Sequence, residues 1–205
     1  MSHDITLSGD HVDLRPLEAG DAALTLAWRQ GARARLLNPG AADAAEQAAW
    51  IAARPANEYN FMIQLKDGRP VGMLSLIGVN ALSKHGETAR FLIGDEDAVK
   101  GVPAAVEAMK LLYEFAFDRL GLQRIFGNVT SDNMLMVKWQ KYLGMKEEGR
   151  MRRHHFLNGA YQDAIILGLL VDEYRETSLP RMRALIKMGQ APARAGEGDL
   201  NAHEG

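Results

Sequence analysis

The 205-residue chain has no cysteine. Disulfides, thiolate nucleophiles and cysteine-ligated zinc are thereby excluded together, and the composition suits a reducing compartment. Long apolar runs are missing as well. No stretch approaches the ~20 residues of a membrane helix, and the first residues lack the apolar centre of a signal peptide. Neither sign of charge dominates, since 24 Lys and Arg stand against 26 Asp and Glu for a net charge of −2. Bulk attraction to nucleic acid or to an anionic membrane is therefore not expected, and the sequence predicts a cytoplasmic protein with neither as partner. The rest, 47% apolar and 24% charged residues, has the balance of a globular domain with a real core plus some tail.

Along the chain, elements of two periods alternate. Val12–Leu17 reads as a strand closed by Pro16. Asp21 is placed to cap an alanine-rich helix reaching Arg29 or Arg33, and Asn38-Pro39-Gly40 is a turn. Asp43 and Glu46 have capping-box spacing ahead of a second helix that ends near Trp50-Ile51. Phe61–Leu65 and Val71–Ile77 flank Lys66-Asp67-Gly68-Arg69 as a hairpin. A strand over Glu87–Ile93, a long helix ended by Gly121 and a strand over Gln123–Val129 are joined by short links, so the two strands should lie parallel. Asn133 and its neighbours cap a helix to Tyr142. Met145–His155 is extended and polar, Asn158-Gly159 is a hairpin signal, and Tyr161–Leu170 returns. The expected architecture is mixed α/β, one sheet with helices on its faces, over residues 1–171. A helical extension over 172–190 follows, with Leu179, Met182, Leu185 and Ile186 as an apolar strip through which a homodimer could form. The Ala-, Gly- and Glu-rich stretch 191–205 is expected to be a disordered tail.

The most informative stretch joins the strand ending at Leu92-Ile93-Gly94 to the helix that begins near Pro103. Proline is tolerated at a first helical position, where its missing N–H would be unpaired anyway. Val102 has no side-chain oxygen to cap that helix, so the first-turn N–H groups point outward, and Ala104 and Ala105 are too small to shield them. Lys100 adds a positive charge beside the positive helix end, with Gly101 between. Open donors and a cation make a seat for a phosphate, or else an ordinary loop capped by water.

With these residues go Tyr113-Glu114-Phe115-Ala116-Phe117, Leu120-Gly121-Leu122-Gln123-Arg124-Ile125, Asn133 followed by Lys141-Tyr142-Leu143-Gly144-Met145, Glu148-Gly149 with Arg152, and Asn158-Gly159 with Asp163. In this order and spacing the sequence resembles the GNAT acetyltransferase superfamily, in its ribosomal-protein-alanine, spermidine and amino-sugar N-acetyltransferase branch, from about Val12 to Glu173. The resemblance implies the GNAT fold, a central twisted mixed sheet flanked by helices with a splayed strand pair for coenzyme A. It implies direct transfer of an acetyl group from acetyl-CoA to a primary amine, with no covalent enzyme intermediate. It places the pyrophosphate on the helix start (Lys100, Gly101, Val102, Ala104, Ala105), the pantetheine arm along Leu92, Ile93 and Gly94, and Asn133 against that arm. Ala98 departs from the Gln or Arg usual three residues before the glycine, and Pro103 from the usual small residue two after it. Where relatives carry a tyrosine acid, seven residues after the asparagine, this chain has Gln140, and Tyr142 lies about 200° further round the helix.

The same resemblance puts a base on the central strand, where Glu87 is the candidate, with Thr88 or Ala89 as rivals for the position. It likens Trp28, Arg29, Arg33 and Trp50 to one wall of an acceptor cleft, the alternative being a solvated helix face with packed tryptophans. His154-His155 is not expected to bind metal, because adjacent strand residues point to opposite faces. Three readings stay open: an N-acetyltransferase acting on a small-molecule or peptide amine (amino sugar, nucleotide-linked amino sugar, protein N-terminus or polyamine), a non-catalytic acyl-CoA-binding regulatory module, and a scaffold that dimerises through the C-terminal strip.

Overall fold

The computed structural model describes residues 5–37 and 40–189. The tail expected over 191–205 and the Asn38-Pro39 part of the first turn lie outside the described residues.

Eight strands form one sheet in the order β1-β2-β3-β4-β5-β6-β8-β7. They are β1 (Leu7–Ser8), β2 (Val12–Pro16), β3 (Tyr59–Leu65), β4 (Pro70–Asn80), β5 (His85–Ile93), β6 (Arg124–Thr130), β7 (Lys146–Leu157) and β8 (Ala160–Leu170). Every neighbouring pair is antiparallel except β5 and β6, whose connection runs through the long helix α3 (Ala104–Glu114). A parallel pair needs such a crossover, as the short links along the sequence require.

The central strands are buried on both faces and so read as nearly continuous apolar runs. Phe61 and Ile63 of β3 and Leu74 and Leu76 of β4 join the main core under α3, whereas Met62, Met73 and Leu92 turn to a second cluster. Helices α1 (Ala22–Gln30) and α2 (Ala44–Ala52) cover that second face through Ala22 and Ile51. Strand alternation alone sorts these residues between the layers. Asp43 caps α2 by accepting from Glu46 N–H at 2.8 Å. Asp21 stands at the start of α1 but does not cap it. Its carboxylate instead accepts from Arg15 at 2.7 and 2.8 Å and from Glu18 N–H at 2.9 Å.

Helix α3 continues through a π turn over Phe115–Arg119, and Gly121 ends it with φ of +65°. Pro103 is the residue before the helix, one position earlier than the sequence reading placed it, and it supplies no side-chain cap. Asn158 and Gly159 have φ of 52° and 78°, the two left-handed residues of a tight β7–β8 hairpin. Helix α4 (Met134–Tyr142) starts at Asn133.

The C-terminal segment is helical from Val171 to Gly189, through α5 (Val171–Glu173), a π segment over Tyr174–Ser178, and α6 (Leu179–Gly189). Its apolar strip faces inward. Met182 is fully buried in the main core and Leu179 and Leu185 pack against it. The strip is therefore covered within the chain, which removes the surface on which the dimerising scaffold was argued. Among the described residues no helix is long and apolar enough to cross a membrane.

Candidate active site

Strands β5 and β6 pair only from His85 to Glu87 against Arg124 to Phe126, and then part. Two devices open the gap. On β5 the register with β4 slips between Met73 and Ser75, where Arg90 takes φ of +56°. A bulge with a left-handed non-glycine residue is strained and must be held by its surroundings. The Arg90 guanidinium supplies the hold: it pairs with Glu58 at 2.9 Å, donates to Asn60 Oδ1 at 3.0 Å, and lies 5.0 Å from the Trp50 ring centre. On the other strand Gly127 lets α4 approach, since a Cβ there would lie 2.7 Å from Gln140 Oε1.

The gap is the mouth of a cleft of about 430 Å³. Glu87, the last β5 residue paired with β6, lines it half-buried. Burial raises its carboxyl above the ordinary carboxylate value, and the positive charge of Arg90 pulls partly the other way. Thr88 and Ala89, the rivals for this position, line the same cleft, but Thr88 Oγ1 donates to Phe126 O at 3.2 Å and neither residue can take up a proton at neutral pH. Thr130 Oγ1 and Gln140 Oε1, both in the cleft wall and almost fully buried, have no protein partner among the described residues. Gln140 thus stands inside the site, whereas Tyr142 is largely exposed and not part of it.

His154 and His155 also face this cleft together, contrary to the expectation of alternation. Between Met151 and His155 strand β7 spends more residues than β8 does between Ala164 and Gln162, and Arg153 takes φ of +50°. Asp163 fixes the bulge by accepting from Arg153 N–H at 2.8 Å and Arg150 Nε at 2.7 Å. The irregularity breaks the period of two, and both imidazoles turn to Asn128, which bridges their Nε2 atoms at 3.0 Å each. Burial, then the neighbouring His154, lowers His155 below the usual imidazole value. Among the described residues no group of three metal-ligating side chains exists.

The helix start and its loop lie at the far end of β5. Gly101 has φ of +75° and open space where a side chain would be. Among the described residues, no side chain accepts from the amides of Ala104 or Ala105. Lys100 is exposed, and Asp97 at 2.6 Å matches its charge, so it is not the lone cation the sequence suggested. Gly94 N–H donates to Val71 O at 2.8 Å and is committed to β4, as is the Leu92 backbone opposite Met73. By strand alternation the N–H and C=O of Ile93 and Phe91 point the other way, into the gap. Asn133 accepts from Met136 N–H at 3.2 Å as the α4 cap and also lines the cleft, which leaves its amide nitrogen to donate there.

The four residues proposed for an acceptor wall divide. Arg29 lines the main cleft. Trp50 stacks under Arg90 and shapes the bulge rather than the cleft surface. Trp28 and Arg33 border a separate shallow concavity with Gly94 and Asp95, and Arg33 pairs with Glu96. Trp28 lies flat on Gly94, where a Cβ would fall inside the indole ring. Gly94→Ala should therefore cost about 1–3 kcal/mol by overpacking, read as a lower thermal midpoint with a changed tryptophan emission.

A family profile described as an acetyltransferase (GNAT) domain matches residues 11–146. The chain belongs to the GNAT acetyltransferase family. Its GNAT domain is 27% identical over 118 residues to spermidine N(1)-acetyltransferase of Escherichia coli K12, covering 58% of this chain and 61% of that protein. The Vibrio cholerae spermidine N(1)-acetyltransferase is 27% identical over 121 residues, 59% of this chain and 68% of its own length. The match thus spans about three-fifths of the E. coli relative. In fold, a GCN5-related N-acetyltransferase from Brucella melitensis superposes with a TM-score of 0.75 at 22% identity, over 89% of this chain and 86% of that one. The mixed sheet with its splayed strands is the GNAT fold that the sequence resemblance implied.

Proposed function

We propose that this GNAT protein transfers an acetyl group from acetyl-CoA to a primary amine by direct attack, in the cleft where β5 and β6 part. The observation that carries the reading is Glu87, a carboxylate held half-buried at the point of divergence. The chain fits the cosubstrate by three features. The start of α3 has no side-chain cap, Gly101 faces open space, and the Ile93 backbone points into the gap. In this reading Val102, Ala104 and Ala105 border the phosphate seat with Gly101. Ile93, flanked by Leu92 and Gly94, pairs with the pantetheine arm, and Asn133 donates to it. Bound there, acetyl-CoA supplies an activated thioester.

Glu87 supplies what the amine lacks. An ammonium with a pKa near ~10.4 costs on the order of 4–5 kcal/mol to deprotonate at pH 7, and a carboxylate at the cleft floor accepts that proton. Gln140 has no proton to give, so the chain offers no side-chain acid at the family's usual place. A thiolate with a pKa near ~8.5 departs tolerably without one.

Gln140 is also the observation that favours a second reading, a non-catalytic acyl-CoA-binding module. Thiol release from acetyl-CoA across a panel of amino sugars, peptides and polyamines separates the two. Amine-dependent release supports transfer, and coenzyme A binding without release for any amine overturns it.

A further inference from the structure

The gap between β5 and β6 passes through the sheet, and its two sides carry different chemistry. Gly86 of β5 faces the main core, since a Cβ there would meet Leu76 and Leu122 at 3.2 and 3.3 Å. Its neighbour Glu87 therefore faces the opposite layer, that of α1 and α2. Glu87 is in register with Phe126 on the last rung before the strands part. Gly127, one residue past that rung, turns back to the main core, and there its bare Cα meets Gln140 of α4. The lining divides accordingly, with Met109 and Leu112 beside Gln140 on the core side and Leu37 with Glu87 on the other. Helix α3, whose start is the proposed phosphate seat, packs into the main core through Ala104 and Ala108. The thioester thus reaches the gap from the Gln140 side and the amine from the Glu87 side.

Gln140 is only 5% exposed. Its Oε1 is sealed against Gly127, 2.7 Å from where a Cβ would stand, and accepts no hydrogen bond from the described residues. A Cα–H turned to that oxygen suits it better than it would an NH₂ group, which gives the amide its sense. Nε2 has no hydrogen-bond partner among the described residues either, but it is not sealed in as Oε1 is, so it is the end that meets the cleft. A primary amide gives up no proton, yet it donates a hydrogen bond. We infer that Gln140 is a catalytic residue for the leaving group, its Nε2–H donating to the thioester sulfur as the C–S bond breaks. The electron pair of that bond goes to sulfur, the proton of the amine goes to Glu87, and the thiolate takes its own proton afterwards from solvent. A donor set in advance on the charge that develops lowers the barrier without any proton transfer. This rests on the acyl-transfer reading and deepens it.

Gln140→Met and Gln140→Leu keep the bulk of the side chain and remove the N–H. Either should lower kcat about 10–100-fold with the KM for acetyl-CoA nearly unchanged, the effect of losing a hydrogen bond to a charged group. Gln140→Glu tests the sign. Its carboxylate would face the developing thiolate, so its kcat relative to wild type should fall more than about tenfold between roughly pH 6 and pH 9 as the group ionises. Losses independent of pH, matched by lower thermal midpoints, would mean a purely structural glutamine and overturn the inference. A second readout needs no turnover, the ultraviolet absorbance of the thiolate of bound coenzyme A. In Gln140→Met it should appear about one pH unit higher than in wild type, a tenfold change in proton affinity. Equal titration in the two proteins overturns the inference even where thiol release falls. If coenzyme A binds but no amine releases thiol from acetyl-CoA, the acyl-transfer reading fails, and the titration alone decides whether Gln140 holds the sulfur. Absence of coenzyme A binding overturns both.

Discussion

Glu87→Gln should lower kcat/KM for the acceptor amine by about 10²–10⁴-fold at neutral pH, the usual contribution of a positioned base. The substitution keeps the size and hydrogen-bonding reach of the side chain and removes only its capacity to take a proton. Position and environment both argue for a large effect. Glu87 is fixed by the last rung of the β5–β6 ladder, and its carboxyl is raised above the ordinary value by burial. The sign of the pH dependence follows. The working form is the carboxylate, so wild-type activity should fall as pH drops through that raised value. In Glu87→Gln this acid limb should vanish and the rate should climb steadily with pH as the amine deprotonates in solution, so that the two enzymes converge toward pH ~10. A pH–rate profile of both proteins measures this. An unchanged acid limb in the variant would move the base to the other titratable pair in the cleft, His154 and His155.

The parts of this site that could be read from the chain are those set by local chemistry. Asp43 with Glu46, Asn133, Gly121 and Asn158-Gly159 each carry a signal that acts within a few residues, and each sits where that signal puts it. The strand–helix–strand order along the chain likewise requires the parallel pair that frames the cleft. Beyond that range the reading fails for physical reasons. Nothing in Thr88-Ala89-Arg90-Phe91 announces a bulge, because Arg90 holds its left-handed backbone through Glu58, Asn60 and Trp50, about thirty or more residues away in sequence. The same holds for His154 and His155, which alternation sends to opposite faces. Asp163, across the hairpin, stabilises the bulge that brings them together. Asp21 had the right spacing for a cap but met a stronger partner in Arg15. Trp28 is placed in an acceptor wall by the family resemblance, which carries no information on what packs against the ring in this chain. Its neighbour in space, Gly94, shows instead a packing role at the end of β5.

Glu107→Ala should be the most destabilising single substitution outside the cleft. Glu107 lies on α3 and is only 3% exposed. Its two oxygens accept from the backbone N–H groups of Asp10, His11 and Val12 at 2.9, 2.7 and 2.8 Å. One side chain thus closes the turn between β1 and β2 from a helix nearly a hundred residues away. Gly9 is shaped for it, since a Cβ there would lie within 2.6–2.9 Å of the carboxylate. Removing the carboxylate leaves three inward-pointing amides without an acceptor, each costing about 1–3 kcal/mol before the turn relaxes toward water. Relaxation is cheap at an edge strand, so a net loss of about 3–5 kcal/mol is expected, or ~10 °C in thermal midpoint for a domain of this size. Glu107→Gln should fall between, because its NH₂ group turns a donor toward amides that need an acceptor. Both variants should keep a kcat close to wild type at temperatures where they remain folded, since the turn lies away from the residues lining the cleft. Thermal unfolding paired with acceptor kinetics separates this structural role from a catalytic one. A midpoint within 2 °C of wild type for Glu107→Ala would show that water satisfies the three amides as well as the carboxylate does.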